Sequence, residues 1–284
     1  MKSFAYSDPI AGLVSALVEI YDIKKSTEIV AVCDKKGEKL IKKYFDPALG
    51  IISQMHNSDI ALSLTIINEA HRPITELPDE LETILTNKKP SYAINIFGYS
   101  SEETPFRTSL LKLEEELKAK TVHCPGVDEN MFRKWGPFDV NYGVLKYDVE
   151  HLIKKLYDFE SFEIITGNKD EYKLEVNVQR RKWMHDLHVK KGEFGNLPAG
   201  EVYIAPIETS ANGKLIVEDR AGGFVLDKPI LITWRDGMVE KIEGANKKTA
   251  NEIMKILESY NNAKVIGEFA LGLNKNAKTN APML

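Results

Sequence analysis

The chain has 284 residues, of which 43% are hydrophobic and 28% charged, with a formal net charge of −4. Those values describe a soluble globular chain of one large or two ordinary domains, without the basic surface that nucleic acid requires. Two cysteines, Cys33 and Cys124, exclude a disulfide scaffold, no apolar run is long enough for a membrane span, and the N-terminus lacks the apolar core of a signal peptide, so a cytoplasmic protein with free thiols is expected.

Asp8-Pro9 reads as a helix start, a capping carboxylate followed by proline at the first helical position. Leu13, Val14, Leu17, Val18 and Tyr21 continue it at helical spacing. Ile29–Cys33 is a continuous run of strand formers, as expected of a strand buried on both faces. A lysine-rich helix is predicted over Lys35–Tyr44, a strand over Ile60–Leu64, a helix over Leu77–Leu85 and a strand over Tyr92–Phe97. Leu110, Leu113 and Leu117 mark a further helix, Thr121–Cys124 a fourth strand ended by Pro125-Gly126, and Val149–Tyr157 a closing helix. Strands alternating with helices predict an α/β N-terminal domain with a parallel sheet, residues 1–158. No G-x-G-x-x-G follows any of these strands and no P-loop is present, so nothing in the pattern points to a nucleotide.

The character changes near Ser161. Phe162–Thr166 and Tyr172–Val178 alternate like half-exposed strands. Asn212-Gly213 and Asp236-Gly237 read as hairpin turns, the second flanked by Ile230–Trp234 and Met238–Ile242. One amphipathic helix is predicted over Lys247–Tyr260, with Ile253, Ile256, Leu257 and Tyr260 on one face, and a last strand over Val265–Leu271. Residues 159–284 are therefore expected to form a β-rich α+β domain. The ending at Asn280-Ala-Pro-Met-Leu284 is unlike the polar or element-closing end usual for a domain, so this second domain is expected to be incomplete.

Two carboxylates in this half stand beside apolar strand residues. Glu201 lies between the turn-rich Gly195-Asn-Leu-Pro-Ala-Gly200 and the apolar run Val202–Ala205, and Glu268 interrupts Val265–Leu271. A carboxylate at such a position must be paired, protonated or bound to a cation. Two that converge would make a metal site or an acid/base pair; two that do not would be solvated or paired with a lysine such as Lys264. His185-x-x-His188 has a spacing suited to a helix but sits between strands and lacks the glutamate of an H-E-x-x-H site, so a surface loop pair is expected. His123 and Cys124 are adjacent in a strand and point to opposite faces, which favours packing over a nucleophile pair. Arg180-Arg-Lys182 is expected to be a solvated strand end.

The stretch from Trp183 through Gly192-Glu-Phe-Gly-Asn-Leu-Pro-Ala-Gly-Glu-Val-Tyr-Ile-Ala-Pro206, together with Gly267-Glu-Phe-Ala-Leu-Gly-Leu-Asn-x-Asn-Ala277, resembles the thermophilic metallo-aminopeptidase family, the aminopeptidase T and aminopeptidase S type enzymes also described as leucyl aminopeptidases. A weaker likeness continues at Pro125–Phe132. The resemblance implies an enzyme with an α/β domain before a β-rich catalytic domain, two divalent metal ions (zinc, cobalt or magnesium), Glu201 and Glu268 as metal ligands, peptide substrates cut at the N-terminal bond by metal-activated water, and a homodimer. The remaining ligands of that family, two histidines and an aspartate, and its site tyrosine, lie beyond the Gly-Glu-Phe strand and have no assignable match before Leu284. A non-catalytic binding relative, and a related enzyme that cleaves aromatic rings with one iron, are the alternatives.

Overall fold

The computed structural model describes residues 8–98, 100–244 and 247–277. Asp8 caps α1 (Pro9–Glu19), its carboxylate accepting from the Ile10 amide at 2.9 Å. The first half then runs β1 (Thr27–Cys33), α2 (Lys35–Leu40), a π-helical turn at Ile41–Phe45, α3 (Asp46–His56), β2 (Ile60–Ile66), α4 (Asp79–Lys88), β3 (Tyr92–Ile96), α5 (Thr104–Glu116), β4 (Lys120–His123) and α6 (Tyr142–Leu156). The helix expected from Val149 starts earlier, at Tyr142, because Asn141 caps it by accepting from the Val144 amide.

The second half is built of short strands: β5 (Ser161–Thr166), β6 (Tyr172–Asn177), β7 (Met184–His185), β8 (Phe194–Asn196), β9 (Glu201–Ile204), β10 (Asn212–Val217), β11 (Arg220–Ala221), β12 (Phe224–Val225), β13 (Ile230–Arg235) and β14 (Met238–Gly244), then α7 (Lys247–Ser259) against β14, and β15 (Phe269–Gly272). A parallel sheet in the first half and antiparallel sheets in the second make the expected α/β plus β-rich α+β arrangement.

The parallel sheet has the order β2-β1-β3-β4-β8. Its inner strand β1 is buried from Ile29 to Cys33, which is why that stretch is uninterrupted apolar sequence. The fifth strand, β8, comes from the second half and pairs with β4 through Thr121–Phe194, Val122–Gly195 and His123–Asn196. Tyr21 of the first half, fully buried, donates its hydroxyl to the Gly195 carbonyl at 2.7 Å. One apolar core runs from Leu13, Leu17 and Ile29 to Trp183, Leu187, Leu197 and Val202, so side chains of both halves fill the same interior.

Strand order reverses between β1 and β3, where open α/β sheets take their ligands. The chain fills that crevice itself. The Asp34 carboxylate accepts from the amides of Gly37 and Gly98, each at 2.7 Å, and from Arg72 at 3.0 Å. Arg72 turns its other edge to Glu103 in a two-pronged pair at 3.0 and 3.1 Å.

The second sheet has the order β14-β13-β10-β6-β5. Asp236-Gly237 makes the expected hairpin, both residues at positive φ. Asn212-Gly213 is not a turn; it opens β10. Gly213 has φ +125°, and a Cβ there would stand 2.1 Å from the Lys173 carbonyl, so the glycine serves the close approach of β6. Asn212 accepts from the Asp236 amide at 2.9 Å and so braces the true turn from outside it.

Candidate metal centre

A three-stranded sheet, β15-β9-β7, carries the site. In β9, Val202 and Ile204 are buried, so Glu201 and Tyr203 face the other way, into a cleft of about 2170 Å³. Glu201 pairs with Gly272 and Ile204 with Phe269. Continued by one position, that register sets Glu268 across from Ala205, on the face of Glu201 and Tyr203. The expected last strand thus begins later than predicted, and Glu268 sits just before it rather than within it. Both glutamates line the cleft, with roughly 13 Å of strand between their levels at about 3.3 Å per residue.

Glu201 is held by its loop. Leu197 donates its amide to the His123 carbonyl at the edge of the parallel sheet. Gly200, at φ +134°, leaves no room for a Cβ, which would lie 2.8 Å from Leu145 and 3.0 Å from Asn274. Asn274 donates to the carbonyls of Ala199 and Pro137 at 3.2 and 3.0 Å. Asp186, just beyond β7, accepts from the amides of Gly200 and Glu201 at 2.8 to 3.0 Å.

The electrostatics are those of like charges gathered in a concave site. Burial raises the Glu201 carboxyl above its ordinary value, and the carboxylates of Asp186 and Glu268 raise it further; no positive group is among the neighbours that shift it. Asp186 is raised chiefly by burial, against the lowering effect of the amides it accepts from. The Tyr203 hydroxyl is raised by burial and then by Asp186, Glu201, Glu268 and Glu193.

The two histidines of the H-x-x-H spacing also line the cleft. His185 is half-buried and its Nδ1 accepts from the Leu187 amide at 3.2 Å; burial lowers its pKa, with Glu150 opposing. His188 is exposed. His123 and Cys124 are both buried, His123 between the ring edges of Phe97 and Phe194. Arg181 pairs with Glu208 and donates to the Pro206 carbonyl, whereas Arg180 pairs with Glu160. Asp186 and Tyr203 are the site groups that sequence reasoning missed. Period-two alternation from Glu201 points to Tyr203; the signal for Asp186 was its place between buried Trp183, Leu187 and Val189.

Carboxylates on one face of a cleft are ligands of the kind that hard and borderline divalent ions take. In number they fall short of a zinc sphere of three or four protein ligands. Among the described residues no group of three His, Cys, Asp or Glu is gathered closely enough to hold an ion. No described helix is long and apolar enough to cross a membrane.

Residues 145–282, which include every strand of this site, match the model of the thermophilic metalloproteases (M29). Over those residues the chain is similar to that family, which supports the resemblance read from the motif loop. No curated protein matches the sequence. Among solved structures, that of 2,5-dihydroxypyridine dioxygenase from Pseudomonas putida KT2440 is similar at 12% identity and a TM-score of 0.57, over 96% of this chain and 79% of that one. At that identity the likeness speaks for the fold.

Proposed function

We propose that the protein is a metal-dependent aminopeptidase in which Glu201 and Glu268 are ligands to divalent metal ions, two of them, drawn from zinc, cobalt and magnesium. One observation carries the reading: two carboxylates share one sheet face inside the cleft, and no cation is among the neighbours that shift Glu201. A bound divalent ion supplies a water of lowered pKa and polarises a scissile carbonyl. The residues of the chain do the rest. Tyr203 lies between Glu201 and Glu268 on the same face, placed to donate a hydrogen bond from a hydroxyl held protonated. The cleft walls around Trp183, Met184 and Ile153 give an extended peptide an apolar surface. Peptides as substrates, a homodimer and a cytoplasmic location complete the proposal.

The test is metal stoichiometry together with hydrolysis of aminoacyl anilides. Close to two ions retained per chain by the wild-type protein, after incubation with zinc or cobalt and gel filtration, supports the reading; close to none leaves Glu201 and Glu268 stranded and favours a non-catalytic relative. Glu201→Gln is expected to lose both the ions and hydrolysis. Full hydrolysis by Glu201→Gln would sink the assignment.

A second reading draws on the fold shared with the dioxygenase of Pseudomonas putida. A ring-cleaving enzyme with one iron would consume oxygen with a dihydroxylated aromatic substrate under ferrous iron and leave aminoacyl anilides intact. If neither activity is found in a metal-loaded protein, a non-catalytic relative is left.

A further inference from the structure

We infer that Asp186 is a positioning residue: its carboxylate fixes the backbone that presents Glu201, and it governs metal affinity without being a ligand. The metal part of this inference rests on the function proposed above.

The geometry separates Asp186 from the two glutamates. Oδ1 accepts from the amides of both Gly200 and Glu201, at 3.0 and 2.9 Å, and Oδ2 accepts from Gly200 at 2.8 Å. Those bonds direct the carboxylate at backbone rather than into open cleft. They also fall where the loop needs them. β9 is the middle strand of its sheet, yet it begins at Glu201, so the amide before it has no ladder partner of its own. Gly200 is in a conformation that L side chains rarely adopt, and a glycine without support is the most mobile link in a loop. Asp186 ties down that link and the next, and does so with charge-assisted bonds, the stronger kind. Asn274 holds the neighbouring Ala199 carbonyl, and the Leu273 amide donates to the Gly200 carbonyl at 2.7 Å. Asp186 therefore supplies the acceptor side of a clamp whose donor side comes from the chain just after β15. Groups behind metal ligands commonly alter affinity 10- to 100-fold through orientation alone.

The test compares Asp186→Asn with Asp186→Ala. Both remove the negative charge, so a difference between them reports the tether and not the field. The asparagine oxygen can keep the two bonds now made by Oδ1; alanine keeps none. Two readouts are needed: hydrogen exchange at the Gly200 and Glu201 amides without metal, and zinc affinity by calorimetry. In Asp186→Ala, exchange at those two amides is expected to rise at least tenfold while the amides of β1 and β3 keep their protection. Zinc affinity should fall roughly 10- to 100-fold, and by distinctly less in Asp186→Asn. Unchanged exchange at Gly200 and Glu201 in Asp186→Ala overturns the tether, as does an equal loss of affinity in the two variants. If the wild-type protein binds no zinc, the metal part falls together with the proposed function, and exchange still judges the tether. If Asp186→Ala does not fold, Asp186→Asn is read against wild type: more rapid exchange at Gly200, whose bond to Oδ2 becomes a donor facing a donor, supports the tether, and unchanged exchange overturns it.

Discussion

At the scale of single residues, the most consequential group outside the cleft is Glu114. It is fully buried in the first half, accepts from Asn95 and Thr121 at 2.9 and 3.0 Å, and is pushed up by burial from 4.5 to about 7. His123 is buried close by in β4, pushed down by burial from 6.5 to about 4. The two have opposite effects on stability. Raised Glu114 makes the folded state bind more protons, so its contribution is complete below pH 4.5 and is lost as pH rises through 7. Depressed His123 makes the unfolded state bind more protons, so its contribution is complete above pH 6.5 and is lost as pH falls through 4. Between pH 4.5 and 6.5 the slopes oppose each other. Denaturant titrations of the wild type are expected to show a flat profile there, whereas Glu114→Gln should gain stability steadily from pH 4.5 to 6.5, by about 3 kcal/mol at most. A flat profile in that variant would contradict the assignment. Glu114, Asn95 and His123 each also keep one buried polar atom without a protein partner, an arrangement that polar groups inside proteins rarely leave to chance.

Among elements, the crevice between β1 and β3 makes the sharpest prediction. Asp34 and Glu103 are each only 2% exposed and share Arg72. Arg72→Met removes the cation they share and leaves two carboxylates buried, which costs about 3–5 kcal/mol. The fall should be visible as a lowered midpoint in urea at pH 7. Gly213→Ala tests β10: its methyl meets the Lys173 carbonyl, and a loss above about 2 kcal/mol is expected by the same denaturation, because neither the backbone nor the carbonyl can withdraw cheaply. These elements differ in how much the sequence disclosed. The run Ile29–Cys33, the Asp8-Pro9 start and the Asp236-Gly237 turn are local signals with local causes, and all three stand where they were predicted. Asn212-Gly213 carries the same local signal as a hairpin, yet its glycine answers to a strand nearly forty positions away. No window of sequence contains that contact. Strand β8 escaped for the same reason: three residues pair with a strand of the other half, and Phe194-Gly-Asn196 has no periodicity to show it. The site divides likewise. Glu201 was legible because an apolar run follows a turn, whereas Asp186 matters only through the amides it meets after the chain has folded back.

For the whole molecule, β8 and the shared core bind the two halves together. A fragment of residues 1–158 would leave β4 as an open sheet edge and uncover the apolar surface that Trp183, Leu187 and Leu197 fill. Such a fragment is expected to aggregate or to remain unfolded by circular dichroism. The intact protein should unfold with one coincident transition by far-UV circular dichroism and by tryptophan fluorescence, to which Trp135 of the first half and Trp183 and Trp234 of the second contribute. Two separated transitions would show that the common core does not couple the halves.

The loop from Leu197 to Gly200 joins the edge strand of one sheet to the middle strand of another, with four residues between them. A span that short has no slack. If the two sheets slide against each other, the displacement passes undiluted to Glu201, which makes this carboxylate a gauge of their alignment. Heat, denaturant or a remote substitution that shifts one sheet should therefore be felt at Glu201 before either sheet melts.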